Sequence, residues 1–115
     1  MASDVEPVGE HALLDIDGAL RLDEPEFLED LMREAALAAG ATIIGSHFHH
    51  FGEKQGVTGI LLLAESHISV HTWPERDFAA FDIFMCGAAK TSTAVQSICT
   101  HFEGARTHLR SERRG

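Results

Sequence analysis

GVTGILLLAESHISVHTWPE, residues 56–75, has the composition of two neighbouring strands that meet at Glu65 and Ser66. The first half is almost uniformly apolar, which predicts a central strand that is covered on at least one side. The second half alternates between polar and apolar residues up to Pro74, which predicts a second strand. The junction also raises a chemical question. A histidine, His71, follows the serine by five residues, so the bond between glutamate and serine could itself react.

Two segments outside this hairpin carry the signals of amphipathic helices. Pro25 in the first turn, acidic residues around it and Gly40 at the end predict a helix over residues 23–40. A Thr-Ser cap and a closing glycine predict a second helix over residues 91–104. Strands are predicted at residues 11–17, 41–51, 56–65, 66–73, 78–87 and 105–110.

This order of elements fits a single domain, residues 1–115, of the α+β class. The 115 residues are enough for one domain with one modest core. A two-layer sandwich, in which a mostly antiparallel sheet carries both helices on one face, satisfies the order. The apolar Ile60–Leu63 segment then predicts that a partner covers part of the other face.

The composition argues against a nucleic-acid-binding or membrane protein. The chain has 9 Lys and Arg against 18 Asp and Glu, a formal net charge of −9, so most of its surface repels a duplex or an anionic membrane. The short basic tail, ARTHLRSERRG, is interpreted as a solvated strand end. No apolar segment reaches the roughly 18 residues that a transmembrane helix needs.

The N-terminus and the cysteines predict a cytoplasmic location. The segment MASDVEPVGE lacks the basic start and apolar centre of a signal peptide. In the reducing cytoplasm the two cysteines, Cys86 and Cys99, are expected to stay free.

Several histidines on neighbouring predicted strands raise the alternative of a metal site: His47, His49, His50, His67 and His71. A zinc site usually requires three or four ligands, and neither CxxC nor HExxH accompanies these residues. Exposed or hydrogen-bonded strand histidines are the simpler interpretation, above all for His47, His50, His101 and His108. We therefore expect no metal.

The segment at residues 56–75, together with AAFDIFMCG at residues 79–87, resembles the short prokaryotic S-adenosylmethionine decarboxylases, which use a pyruvoyl group. The resemblance is most specific between Glu65 and Glu75, because the ESH–H–WPE spacing and the downstream cysteine occur together. The chain departs from the family pattern at Arg76–Asp77–Phe78, where the family has an aromatic–glycine–aromatic sequence.

The resemblance implies that a proenzyme cuts itself at the Glu65–Ser66 bond into a β chain, residues 1–65, and an α chain, residues 66–115. The serine hydroxyl attacks the preceding carbonyl, which moves the acyl group from nitrogen to oxygen and gives an ester. A base then removes the serine α-proton and expels residue 65 as a carboxylate, which leaves dehydroalanine. Water hydrolyses the imine tautomer of dehydroalanine, which releases ammonia and leaves a pyruvoyl group. In turnover the substrate amine forms a Schiff base with this group, which acts as an electron sink.

The resemblance also assigns roles to individual side chains. Ser66 becomes the pyruvoyl group, His71 is the proton acceptor in self-processing, and Cys86 is the proton donor in turnover. An imidazole with a pKa near ~6.5 and a thiol with a pKa near ~8.5 suit these tasks. The implied substrate-binding residues are Phe51 on the adenine, Glu75 on the ribose hydroxyls, and Thr58, which keeps a hydroxyl near the processing site.

The implied function is decarboxylation of S-adenosylmethionine to S-adenosylmethioninamine, the aminopropyl donor for spermidine synthesis, by a homodimer of αβ protomers. One alternative keeps the pyruvoyl group but takes arginine or ornithine as the substrate. A second alternative is a non-catalytic homologue that acts as a binding subunit. The presence of Ser66, His71 and Cys86 argues against the second, because a silent copy has no chemical need for all three.

Overall fold

The structure, a computed structural model, describes residues 8–115 as one sheet of six strands packed against two helices. The strands are β1 (Gly9–Asp17), β2 (Ile43–His50), β3 (Val57–Leu63), β4 (Ser66–Trp73), β5 (Phe78–Cys86) and β6 (Arg106–Arg114), and the helices are α1 (Pro25–Ala38) and α2 (Thr91–Cys99). The strand order is β2-β3-β4-β5-β1-β6, and every neighbouring pair is antiparallel. The predicted two-layer α+β sandwich is confirmed.

Alternation along the strands decides which face of the sheet the helices cover. Successive strand side chains point to opposite faces, so a strand with buried apolar residues at every second position packs on one side only. In β4, Ile68 and Val70 are completely buried, and in β5, Phe81 and Ile83 are buried as well. The residues between them form the opposite face, which we call the open face.

Each helix buries one apolar stripe against this sheet. In α1 the buried residues follow the helical repeat: Leu28, Leu31, Met32, Ala35 and Ala36. In α2 they are Thr91, Ala94, Val95 and Ile98. The two helices also contact each other, α1 over β2 and β3 and α2 over β1 and β5, so both lie on one face.

The C-terminal elements differ in length from the sequence-based prediction. Helix α2 ends at Cys99, before the predicted stop at Gly104, because the chain tightens there into turns with Phe102 N–H bonded to the Cys99 carbonyl. Strand β6 extends to Arg114 rather than residue 110, since it pairs with β1 along nine residues. All of β6 is exposed, so no apolar pattern marks its length.

A buried threonine joins the far end of the β3–β4 hairpin to the chain after β1. The Thr72 hydroxyl accepts a hydrogen bond from the Val57 N–H at 2.8 Å and donates one to the Leu22 carbonyl at 2.7 Å. Gly56 lies directly against the Thr72 carbonyl, with no space for a side chain. This close approach fixes the pairing of β3 with β4, and therefore the position of the hairpin turn at the other end.

The open face carries apolar side chains that the helices do not cover. Ile60 and Leu62 of the predicted apolar segment are 40% and 50% exposed, whereas Leu61 and Leu63 lie in the core. Ile44 and Trp73 add to this surface at 62% and 40% exposure. A second layer on the open face would remove these side chains from water.

Replacing Gly56 with alanine should destabilise the hairpin. The new methyl group would collide with the Thr72 backbone carbonyl, so the Gly56→Ala variant should lose about 1–3 kcal/mol in free energy of unfolding. Gly45→Ala is the matched control, because no atom lies within 4 Å of the added methyl group, and it should stay within about 0.5 kcal/mol of wild type. Urea unfolding followed by circular dichroism measures both, and equal stabilities would contradict this account.

Candidate active site

The turn between β3 and β4 holds the Glu65–Ser66 bond in an unusual backbone conformation. Leu63 pairs with Ser66, so Ala64 and Glu65 alone form the turn. Glu65 has φ 57°, the left-handed region that residues other than glycine rarely adopt. Such a conformation costs on the order of 1–3 kcal/mol and persists only where the surrounding structure fixes it. Ser66 follows as the first residue of β4 and is 7% exposed.

The end of β5 brings Cys86 against this turn. The Cys86 backbone N–H donates to the Ser66 hydroxyl oxygen at 3.2 Å, and the thiol donates to the Glu65 carbonyl oxygen at 2.8 Å. The serine oxygen and the cysteine sulfur lie 3.9 Å apart. Three residues that the sequence separates by up to 21 positions, Glu65, Ser66 and Cys86, therefore form one cluster.

This cluster can act on its own peptide bond. The serine hydroxyl adjoins the carbonyl that it would attack, and the thiol donates to the oxygen of that carbonyl. A donor at this position stabilises the negative charge that develops on the oxygen when a nucleophile adds. The sequence predicted Cys86 only as a proton donor in turnover, and the geometry adds contact with the bond to be cut.

A cleft on the open face reaches the same turn. It is lined by His11, Ile60, Leu62, Glu65, Ser66, His67, Phe84 and Arg114. The ring of His67 stacks on that of Phe84 at 6.1 Å between centroids, and His11 meets both rings edge-on. Burial lowers the pKa of His67 below its ordinary value, and proximity to His11 lowers it further. His67 therefore favours the neutral form.

His11 has one ring nitrogen without a hydrogen bond. Its buried Nε2 atom finds no partner within hydrogen-bonding geometry among residues 8–115, although the Asp82 carboxylate lies 3.5 Å away. Sequence reasoning did not select His11, Phe84 or Arg114. The alternation of side chains along β1, β5 and β6 places each of them on the open face. Only the register of these strands shows that they line one cleft with Ser66.

A second group of predicted site residues lies at the other end of the sheet. A hydrogen bond of 3.2 Å joins the Thr58 hydroxyl to Nδ1 of His71, and the two residues are register partners on β3 and β4. Phe51 follows β2, is 61% exposed, and packs edge-on against His49. Glu75 lies in the 3₁₀ turn Pro74–Arg76, beside Lys54.

The structure does not bring His71 to Ser66 within one chain. The two residues are five positions apart on β4, and a strand rises by about 3.3 Å per residue, so their Cα atoms lie roughly 16 Å apart. They also point to opposite faces, because Ser66 is buried on the helix side and His71 is exposed on the open face. Glu65, Ser66 and Cys86 thus form one cluster, and Thr58 and His71 form another.

His50, His101 and Cys99 lie outside both clusters. His50 bonds to the Gln55 carbonyl at 3.2 Å, and His101 bonds to Glu34 at 2.7 Å. Among residues 8–115, no group of three or more His, Cys, Asp or Glu is arranged to hold a metal ion. Burial raises the pKa of the Cys99 thiol. No helix in this part of the chain is long and apolar enough to span a membrane.

Fold and site together define a small α+β domain in which a hairpin turn holds a serine hydroxyl and a thiol beside one backbone carbonyl. The structure superposes on the crystal structure of an adenosylmethionine decarboxylase from Aquifex aeolicus with a TM-score of 0.87 and 35% identity, covering 96% of this chain and 93% of that one. The profile of the S-adenosylmethionine decarboxylase family matches residues 10–115. The chain belongs to this family.

Curated relatives named S-adenosylmethionine decarboxylase proenzyme agree with this assignment. The protein from Parasynechococcus marenigrum is 54% identical over 83 residues, which are 70% of this chain and 63% of that relative. The protein from Prochlorococcus marinus is 43% identical over 104 residues, which are 88% of this chain and 82% of that relative. The chain therefore spans less than two thirds of the first relative's length.

The buried state of His67 predicts a dependence of stability on pH. Its pKa is lowered on folding from 6.5, so the unfolded chain takes up the proton first as the pH falls below that value, and stability is lost. His67→Gln should therefore lose less free energy of unfolding than wild type between pH 7.5 and pH 5.5, measured by urea unfolding. His47→Gln, at an exposed position, controls for the loss of one imidazole. Equal changes in both variants would show that burial of His67 is not the cause.

Proposed function

We propose that this chain is the proenzyme of a pyruvoyl-dependent S-adenosylmethionine decarboxylase, which cuts itself between Glu65 and Ser66. The observation that carries this proposal is the contact of the Cys86 thiol with the Glu65 carbonyl, beside the Ser66 hydroxyl. Membership of the decarboxylase family supports it. The product, S-adenosylmethioninamine, would serve as the aminopropyl donor for spermidine synthesis.

Self-cleavage begins with an acyl shift that these residues can support. The Ser66 oxygen adds to the Glu65 carbonyl, and the Cys86 thiol donates to the carbonyl oxygen as negative charge develops there. The left-handed backbone of Glu65 supports this step, because a strained turn relaxes when its peptide bond becomes an ester. A base then removes the Ser66 α-proton, and the ester leaves as the carboxylate of residue 65.

The surroundings of Ser66 fit the pyruvoyl group that would replace it. The Cys86 backbone N–H donates to the serine oxygen before cleavage and becomes free once that oxygen has left with residue 65, and the residue opens toward a cleft with apolar walls. When present, the pyruvoyl group supplies an electron sink for the loss of CO₂. Cys86 is placed to return a proton to the substrate carbon, because its sulfur lies 3.9 Å from the Ser66 hydroxyl oxygen and so lies beside the carbon atoms of residue 66 that become the pyruvoyl group.

The separation of His71 from Ser66 leads us to propose a site shared between two chains. If His71 is the proton acceptor in processing, a second copy must supply it, since the distance within one chain is roughly 16 Å. The open face carries the Thr58–His71 pair, the cleft that reaches Ser66, and exposed apolar residues such as Ile60 and Leu62. Two open faces packed in antiparallel orientation would bury these residues and place the His71 of one protomer over the Ser66 cleft of the other.

The same arrangement would assemble the substrate site from both protomers. Phe51 packs on His49, which is the register partner of Thr58 beside His71, and Glu75 follows β4 at the same end of the sheet. The Ser66 cleft lies at the other end. We propose that Phe51 stacks on the adenine and that Glu75 accepts hydrogen bonds from the ribose. Thr58, bonded to His71, would orient the imidazole. A cytoplasmic location suits this enzyme, because both thiols are free.

Ser66→Ala should stay a single chain while the wild-type protein separates into fragments 1–65 and 66–115 on a denaturing gel. The variant lacks the hydroxyl that would attack the Glu65 carbonyl, so cleavage should be lost. The cleaved wild type should release CO₂ from S-adenosylmethionine and not from arginine or ornithine. A wild-type chain that stays whole would contradict the mechanism, and release from arginine or ornithine alone would contradict the substrate.

Co-expression of two inactive variants should restore cleavage if the site is shared. Ser66→Ala keeps His71, and His71→Ala keeps Ser66, so a mixed dimer contains one complete site. The His71→Ala chain should then be cut in the mixture but not alone, which mass spectrometry of tagged chains can measure. Failure to cut it, in a sample where mixed dimers are shown to form, would mean that His71 acts within its own chain.

A further inference from the structure

Arg114 lines the cleft at the candidate cleavage site and belongs to neither the Glu65–Ser66–Cys86 cluster nor the Thr58–His71 pair. It lies near the end of β6 and shares the cleft with Glu65 and Ser66. Its register partner on β1 is Gly9, which in turn pairs with Cys86 on β5. Gly9 contributes no side chain to this row, and the Phe84 ring lies over it, within 3 Å of where a Cβ would be. Arg114 and Phe84 therefore line the same part of the cleft.

Arg114 also supplies the permanent positive charge of this cleft. The other lining residues that can carry positive charge are histidines, and burial favours the neutral form of His67. His11 directs its buried nitrogen toward Asp82. No ion pair formed among residues 8–115 includes Arg114. Its guanidinium is therefore available to an anion that arises in the cleft.

The proposed self-cleavage produces such an anion, and the inference rests on that proposed function. After the acyl shift, the Ser66 Cβ–Oγ bond joins the two parts of the chain through an ester. When a base removes the Ser66 α-proton, the electron pair forms a Cα–Cβ double bond and the Cβ–Oγ bond breaks. The oxygen leaves with its electrons, so residue 65 ends in a new α-carboxylate beside its own side-chain carboxylate.

A cation beside the leaving oxygen accelerates this step, because negative charge develops there in the transition state. The substrate carboxylate is a second anion that could enter the cleft, but the physical argument favours the first. Decarboxylation removes the charge from the substrate carboxylate, and an ion pair would stabilise that group before it reacts. Elimination creates charge at residue 65, and an ion pair stabilises the product of that step.

We propose that Arg114 binds the carboxylate that leaves from Glu65 and so drives the ester-resolving step of self-cleavage. The guanidinium can bind a carboxylate through two parallel hydrogen bonds, which lysine cannot reproduce. It also offsets the second negative charge that residue 65 gains next to the pyruvoyl position. Arg114 contributes to maturation of the proenzyme, and its contribution to turnover is secondary.

The experiment follows the maturation of freshly translated full-length chains with time. Samples are quenched with or without hydroxylamine, which cleaves an ester but not a peptide bond, and are weighed by mass spectrometry. Arg114→Gln should accumulate the ester and resolve it roughly 10–100-fold more slowly than wild type, the effect of losing a hydrogen bond to a charged group. Arg114→Lys should resolve it at an intermediate rate.

Arg113→Gln is the matched control, because it removes the same charge from the next residue, which points to the other face of β6. It should mature like wild type. Maturation of Arg114→Gln at the wild-type rate would overturn the proposal, as would normal maturation with a loss of turnover alone. If both Arg114 variants stay uncut without an ester, the residue acts before elimination and the proposal is wrong. A wild-type chain that is never cut would overturn the proposed function as well.

Discussion

The register between β4 and β5 is the constraint on which the candidate site depends. His67 pairs with Phe84 and Ser69 with Asp82, so the end of β5 lies beside the start of β4. Cys86 therefore reaches the turn that contains Glu65. A slip of one residue would exchange the two faces of β4 and separate the thiol from the carbonyl. The buried Ile68 and Val70 prevent such a slip, because it would turn both toward water.

The turn at Glu65, which the Cys86 thiol contacts, is held in place by the hairpin on both sides of it. Glu65 has a left-handed backbone, as do Arg21, Lys54 and Asp77, and its turn joins two strands that pair along six consecutive residues. The far end of the hairpin is held by the Thr72 hydrogen bonds and by Gly56. The pairing of the strands thus offsets the free-energy cost of the left-handed conformation at Glu65, next to the bond proposed to react.

The two faces of the sheet have different surroundings. One face packs on α1 and α2 and contains the core, whereas the open face carries the cleft beside Ser66 and the Thr58–His71 pair. These two groups are separated along β4 by roughly 16 Å. The proposed site that uses both requires two copies that face each other in opposite directions, an arrangement that would also cover the exposed Ile60 and Leu62.

The sequence by itself determined the fold class, the order of the elements and the junction proposed to react. Alternation in SHISVHTW and the apolar GILLL segment define strands locally, and the motif around Ser66 is contiguous in the chain. The tertiary structure alone decided that Cys86 contacts the Glu65 carbonyl, that His71 lies far from Ser66, and that Arg114 lines the same cleft. Local patterns depend on neighbours a few residues apart, whereas these contacts depend on the register of strands from distant parts of the sequence. Strand β6 shows most clearly why the side-chain pattern alone was not sufficient to predict strand length. All of its residues are exposed, and it pairs with β1 through the backbone, so its sequence has no apolar alternation.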